Sequence, residues 1–258
     1  MSASTNYLLH LADNAVVLGQ RNAEWCGHGP AIEEDIALTN ISLDLIGQAR
    51  LLYQLAAERL GNGATEDKLA YFRDPHEFRN FTLLELPNHA AFVGYAKTDL
   101  DYGTTIVRNF LFSALMVLVW DKLQSSSDSQ LAAIAAKSLK EVRYHLRHSR
   151  DWLVRLGDGT EESNARAQAA LEHLMTYTQE FWNGTALEQD ALGAGVDMAA
   201  LRPLWDTLVN DALAEATLKR PEVGGYITQG KQGLHSEHLS FMLSEMQSLA
   251  RAHPNATW

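Results

Sequence analysis

Apolar residues recur at helical spacing along most of the chain, and alternating patterns bounded by turns are scarce. Residues 5–22 carry Leu8, Leu11, Ala12, Ala15, Val16 and Gly19 on one face and predict a first helix. A Gly/Pro connection follows at Gly27-His28-Gly29-Pro30. Glu33, Glu34 and Asp35 suit the positive end of a second helix, which runs to about Leu60 and closes at Gly61-Asn62-Gly63. A polar stretch through Asp74-Pro75 leads to a third long helix, predicted over about 88–123. Asp128 is the predicted N-cap of a fourth, 129–156, that stops at Gly157-Asp158-Gly159. Two further helices are predicted near 161–182 and 203–219, and a last one over 236–252. Four long helices with short to moderate connections predict an all-α bundle with additional C-terminal helices, in a single domain over 1–258.

Composition adds limits. Hydrophobic residues make up 46% of 258, enough for a real core. A formal charge of −11 argues against nucleic acid and anionic membrane as partners, and weakly against this chain alone gripping a polyanion such as a CoA thioester. The one cysteine, Cys26, excludes an intrachain disulfide and points to a reducing compartment. The N-terminal residues show no basic and then apolar leader, so a cytoplasmic protein is expected. The most apolar run, 110–120, is too short to span a bilayer and reads as half of a buried helix.

The candidate chemistry lies on the second and fourth helices. Di-iron carboxylate bundles use two Glu-x-x-His pairs, because a spacing of three aims both side chains at one metal. None of the ten histidines here has an Asp or Glu three residues before it. Val142 precedes His145 by three, and Leu45 stands three before Gln48, where a histidine would be wanted. Asp44 and Gln48 are one turn apart beside Ile41, Leu45, Leu52 and Leu55, and are expected to point inward. Glu141 and His145 are likewise one turn apart, beside Leu131, Ile134, Ser138, Val142, Trp152 and Leu156. Two readings fit. One is a metal site from Asp44, Glu141 and His145, with Glu24 from the end of the first helix. The other, favoured here, is a buried hydrogen-bond cluster in a scaffold that has lost its metal.

Other features carry less. His235 and His238 are three apart and could share a metal, but no further convergent ligand is evident; a helix start against a packing surface is expected. Gly230-Lys231-Gln232-Gly233 lacks phosphate-loop spacing. Cys26 beside His28 has no orienting partner for a nucleophile. Arg143, Arg147, His148 and Arg150 form a basic face that could pair with acids in this chain or in a partner.

Several segments taken together resemble one family. They are Gly19-Gln20-Arg21 with Glu24-Trp25-Cys26-Gly27-His28, residues 40–50, residues 140–147, residues 233–239, and Glu245-Met246-Gln247. They resemble the structural, PaaC-type subunit of the bacterial ring-1,2-phenylacetyl-CoA epoxidase, a multicomponent monooxygenase, over about 7–258. The resemblance implies a ferritin-like four-helix bundle. It implies no catalytic residue, cofactor or metal in this chain, with Glu24, Asp44, Gln48, Glu141 and His145 as a relic centre. It implies a sister catalytic subunit of the same fold that carries the di-iron centre, a heterotetramer with it, and a separate reductase component. Two alternatives stay open: an active ferritin-like oxygenase with an irregular ligand set at Glu24, Asp44, Glu141 and His145, and a CoA-ester binding module without chemistry.

Overall fold

The computed structural model describes residues 2–89, 100–191, 193–254 and 256. The fold is all-α: among the described residues no strand forms, and β-pairing is limited to two isolated bridges, His89 with Leu100 and Gln229 with Leu234. In chain order the helices are α1 (Thr5–Ala23), α2 (Ile32–Leu60), α3 (Glu66–Tyr71), α4 (Thr82–Glu85), α5 (Tyr102–Leu123), α6 (Ser129–Gly157), α7 (Glu161–Met175), α8 (Gln179–Trp182), α9 (Ala186–Asp190), α10 (Met198–Glu215) and α11 (Glu237–Ala252). The chain groups into two compact units. The first comprises Met1–Pro87, Thr185–Gly195 and Thr228–Trp258; the second comprises Asn88–Gly184 and Val196–Ile227. Each is built on one long helix pair, α1 with α2 and α5 with α6.

In the first unit α1 and α2 run antiparallel. Arg59 donates to the Ala3 carbonyl at 2.9 Å, Tyr53 Oη donates to Asp13 at 2.6 Å, and a Cβ on Gly19 would meet Ile46 at 3.3 Å. Ser4 caps α1 by accepting from Tyr7 N–H. Ala31 gives α2 no side-chain cap; Asp35 in its first turn instead accepts from the Gly27 and Gly29 N–H groups and fastens the connection. The interior of this unit holds charge. Asp13, fully buried on the apolar face of α1, pairs with Arg73 and accepts the Arg79 N–H at 2.8 Å. Arg73 also donates to the Leu69 and Glu77 carbonyls and lies 4.2 Å from the Phe78 ring centroid. Burial alone would lower the Arg73 pKa, but the Asp13 carboxylate outweighs it and raises it. Burial, and then the Asp13 charge, raises that of Tyr53.

A second buried group joins α1 to the C-terminal segment. Lys231, in the 3-10 turn Gly230–Gln232, pairs with Glu188 of α9. His10 faces them in the neutral form. Its Nδ1–H donates to the Arg79 carbonyl at 2.6 Å, which leaves Nε2 to accept from Asn14 at 3.3 Å. Burial, and then the Lys231 charge, lowers its pKa to about 4.

In the second unit α5 is apolar almost all round. It is long and apolar enough to cross a membrane by length and composition, and 89% of that window is buried inside the chain, as in a core helix. Asp101 caps it, accepting from Thr104 N–H at 2.7 Å and from Arg166 at 2.6 Å. α6 runs antiparallel to α5: Tyr102 meets Trp152 edge-on at 5.4 Å between centroids, and Asp121 approaches Arg143 at 4.0 Å. Gly157 ends α6 against α10, where an added Cβ would sit 2.1 Å from the Ala216 carbonyl oxygen. Phe181, Trp182 and Trp205 form an edge-to-face cluster, and Trp205 Nε1 donates to the Leu111 carbonyl at 3.0 Å.

Several predicted boundaries move. The third long helix begins at Tyr102, not near 88, because the Asp101 side chain occupies the N-cap. Asn88 is buried outside it and accepts from Thr105 Oγ1, and residues 90–99 of the predicted span lie outside the described residues. The predicted 161–182 helix breaks at Thr176–Thr178, where Thr178 Oγ1 bonds the Met175 carbonyl and tightens the turn. The predicted 203–219 helix spans Met198–Glu215, because Asp197 caps it by accepting from Ala199 and Ala200 N–H, leaving Pro203 inside.

Removing one partner of the Asp13–Arg73 pair strands a buried charge. Arg73→Leu is expected to cost about 3–5 kcal/mol in urea denaturation followed by circular dichroism. A cost under about 1 kcal/mol would mean that water reaches Asp13 and meets its needs. For His10 the unfolded chain binds the extra proton first. The stabilisation is therefore full above pH 6.5 and is lost as pH falls toward about 4. Across that window wild type is expected to lose about 3 kcal/mol more than His10→Gln. Equal losses in the two proteins would contradict the neutral buried imidazole.

Candidate functional site

α2 and α6 position the residues from which a metal centre would be assembled. On α2, Ile41, Leu45, Leu52 and Leu55 are buried as the periodicity predicts, and Gln48 is 2% exposed among them. Asp44 differs from the expectation: it lies on the flank of that face and is only half-buried, about 100° around the helix from Leu45. Glu24 stands at the C-cap of α1 and is ion-paired with Arg21 one turn earlier. On α6, Leu131, Ser138, Val142 and His145 are buried, whereas Ile134, Trp152 and Leu156 are half-buried, as is Glu141. Glu24, Asp44 and Gln48 belong to the first unit, and Glu141 and His145 to the second.

This donor set does not fit a di-iron centre. The position one turn before His145 on its own face is the buried aliphatic Val142, and the amide of Gln48 stands where an imidazole is needed. α5 brings no carboxylate before Asp121; it brings a fully buried cation, Arg108, which donates to Asn88. Among the described residues of either unit, no three His, Cys, Asp or Glu side chains are grouped to hold a metal ion.

The secondary features resolve into internal contacts. His235 presents Nδ1 to Glu85 at 2.8 Å and Nε2 to the Phe78 carbonyl at 3.1 Å. Glu85 is fully buried and also accepts from Asn80 Nδ2 and Ser236 N–H, and His235 Nε2–H donates to the Phe78 carbonyl. The His235–Glu85 contact ties the start of α11 to α4. Lys231 is buried against Glu188, which turns the Gly230–Gln232 loop inward. His28 Nδ1 faces the Cys26 carbonyl oxygen at 3.2 Å.

One surface was missed by sequence reasoning. Ile32, Ile36, Leu43 and Ile46 are 73, 54, 61 and 40% exposed, and fall within about 80° of one another around α2, opposite its buried face. The signal was present: α2 carries aliphatic residues on two faces, and Leu43 and Ile46 lie outside the stripe through Ile41 and Leu45. At the C-terminal end of this face Ile46, Ala49, Arg50 and Tyr53 line a cavity of about 260 Å³ shared with Glu66 and Tyr71 of α3.

The phenylacetic acid catabolic protein family matches residues 1–258. A relative from Escherichia coli (strain K12), named as a subunit of 1,2-phenylacetyl-CoA epoxidase, is 45% identical over 262 residues, covering all of both chains. The fold, the segments at α1, α2, α6 and α11, and this full-length match agree: the chain belongs to the phenylacetic acid catabolic protein family.

Proposed function

We propose that this chain is the non-catalytic structural subunit of a phenylacetyl-CoA 1,2-epoxidase of aerobic phenylacetate catabolism, acting in the cytoplasm and holding a homologous catalytic subunit that carries the di-iron centre. The observation that carries the reading is the contrast between two faces of α2. Its inner face has an amide, Gln48, where a metal bundle needs an imidazole. Its outer face exposes Ile32, Ile36, Leu43 and Ile46, an aliphatic stripe suited to a second helix. Membership in the family and the full-length relative named as an epoxidase subunit support a place in a multisubunit oxygenase.

The physical role follows from rigidity. A catalytic bundle that opens one side to substrate loses helix packing there, and small displacements of its groups cost large rate factors. A partner whose own interior is cross-linked by buried contacts such as the Asp13–Arg73 ion pair and the His235–Glu85 hydrogen bond supplies a stiff surface for that side. Burying what remains exposed of each of these aliphatic side chains, 40–73% of it, contributes about 0.6–2 kcal/mol to assembly.

Co-expression with the catalytic subunit and size-exclusion chromatography test this. Wild type is expected to co-elute. Ile36→Asp/Leu43→Asp keeps its helical circular dichroism, because both positions are exposed, and weakens the complex by about 30-fold or more. Failure of wild type to form any complex would overturn the structural-subunit reading. An unchanged complex with the double variant would move the interface off α2.

A further inference from the structure

The chain is acidic overall, but α6 is not. Its 29 residues hold six of the 21 Lys and Arg residues against two acids, Glu141 and Asp151, in a protein of formal charge −11. At 100° per residue, Lys137, Lys140, Arg143 and Arg147 fall on one side of the helix over about 15 Å of its length. All four are exposed. Arg150 is committed to Glu215, and Arg143 approaches Asp121 only at 4.0 Å with both side chains largely in solvent. The ion pairs described for the cations of α6 are those of Arg143 and Arg150, and none involves Lys137, Lys140 or Arg147. Tyr144, 38% exposed in the middle of the strip, stacks with Arg147 at 5.6 Å and lies beside His148 at 6.1 Å. Even with Asp151 on the same side one turn beyond Arg147, a strip of four cations around a Tyr–Arg pair, on a chain with an excess of carboxylates, has the composition of a binding surface.

We propose that this face of α6 docks an acidic protein surface, one presenting at least three carboxylates at matching spacing, on another component of the oxygenase assembly. The inference rests on the multisubunit reading above but concerns a different helix and a different chemistry from the aliphatic stripe of α2. Charge complementarity selects the occupant. A long polyanion such as nucleic acid extends beyond the strip and meets the net negative charge of the rest of the chain, whereas a compact acidic patch touches only the strip. The two faces then differ in kind. The aliphatic face of α2 suits a lasting partner; the charged face of α6 suits one that arrives fast, holds weakly and responds to salt.

The test uses the chain in complex with its catalytic partner and titrates each remaining component of the epoxidase system, purified singly, at low and at raised NaCl. One component is expected to bind with an affinity that falls with salt. Lys137→Glu/Lys140→Glu/Arg147→Glu is expected to weaken it by roughly 10- to 100-fold, while Lys137→Arg/Lys140→Arg/Arg147→Lys retains it. Equal binding by wild type and the charge-reversal variant would overturn the proposal, as would tighter binding of duplex DNA than of any component at this strip. If no complex with the catalytic partner forms at all, the proposed function fails first; if it forms and charge reversal changes nothing, only this inference falls.

Discussion

Asp13 is the constraint on which the first unit depends. A carboxylate with no exposure to water must be met by donors, and four come from three residues: Tyr53 of α2, two guanidinium nitrogens of Arg73, and the backbone N–H of Arg79. Arg73 then fixes its own surroundings through the Leu69 and Glu77 carbonyls and the Phe78 ring. Its carbonyl accepts from Gln247 and Arg251 of α11, which ties down the last helix. One buried acid thus sets the register of α1 on α2, the path of the segment after α3, and the docking of the C-terminus. The apolar contacts around it supply most of the stabilisation; the charge pair selects one arrangement among the many that such contacts allow.

The same division between apolar mass and polar specification explains the absence of a metal ligand set among the described residues. In a di-iron bundle the interior carboxylates and imidazoles are satisfied by metal. Here three buried or largely buried carboxylates are met by side chains of the chain itself: Asp13 by Arg73, Glu188 by Lys231, Glu85 by His235. Arg73 and Lys231 neutralise carboxylates that would otherwise need another source of positive charge. The proposed structural role agrees with this, since cross-links of this kind stiffen a bundle without making it reactive.

Much of this fold was legible in the sequence, and the exceptions have physical causes. The four long helices follow from apolar content sustained at helical spacing over several turns, on one face in α1 and α6, on two in α2 and almost all round in α5. α3, α4 and α9 are too short to show a period, and the start of α5 is not marked by apolar content, because the Asp101 side chain fixes that boundary. At the candidate centre, the buried states of Gln48, Val142 and His145 could be read from spacing, whereas the half-exposed Asp44 could not, since it stands at the edge of its stripe. The partners of His235 and Lys231 lie 150 and 43 residues away in the chain, and no local pattern announces such pairs. The outer face of α2 was hidden by its own composition: aliphatic residues that await a partner look the same in sequence as residues of the core.

The most direct test of the central claim is the iron content of the purified chain, free of its partners, after anaerobic loading with ferrous ion and desalting. A chain whose interior is already charge-compensated, with Val142 and Gln48 at two ligand positions, is expected to retain iron only at background. Retention of about two irons per chain, the content of a working carboxylate-bridged centre, would contradict the account and bring forward an active oxygenase built on Glu24, Asp44, Glu141 and His145.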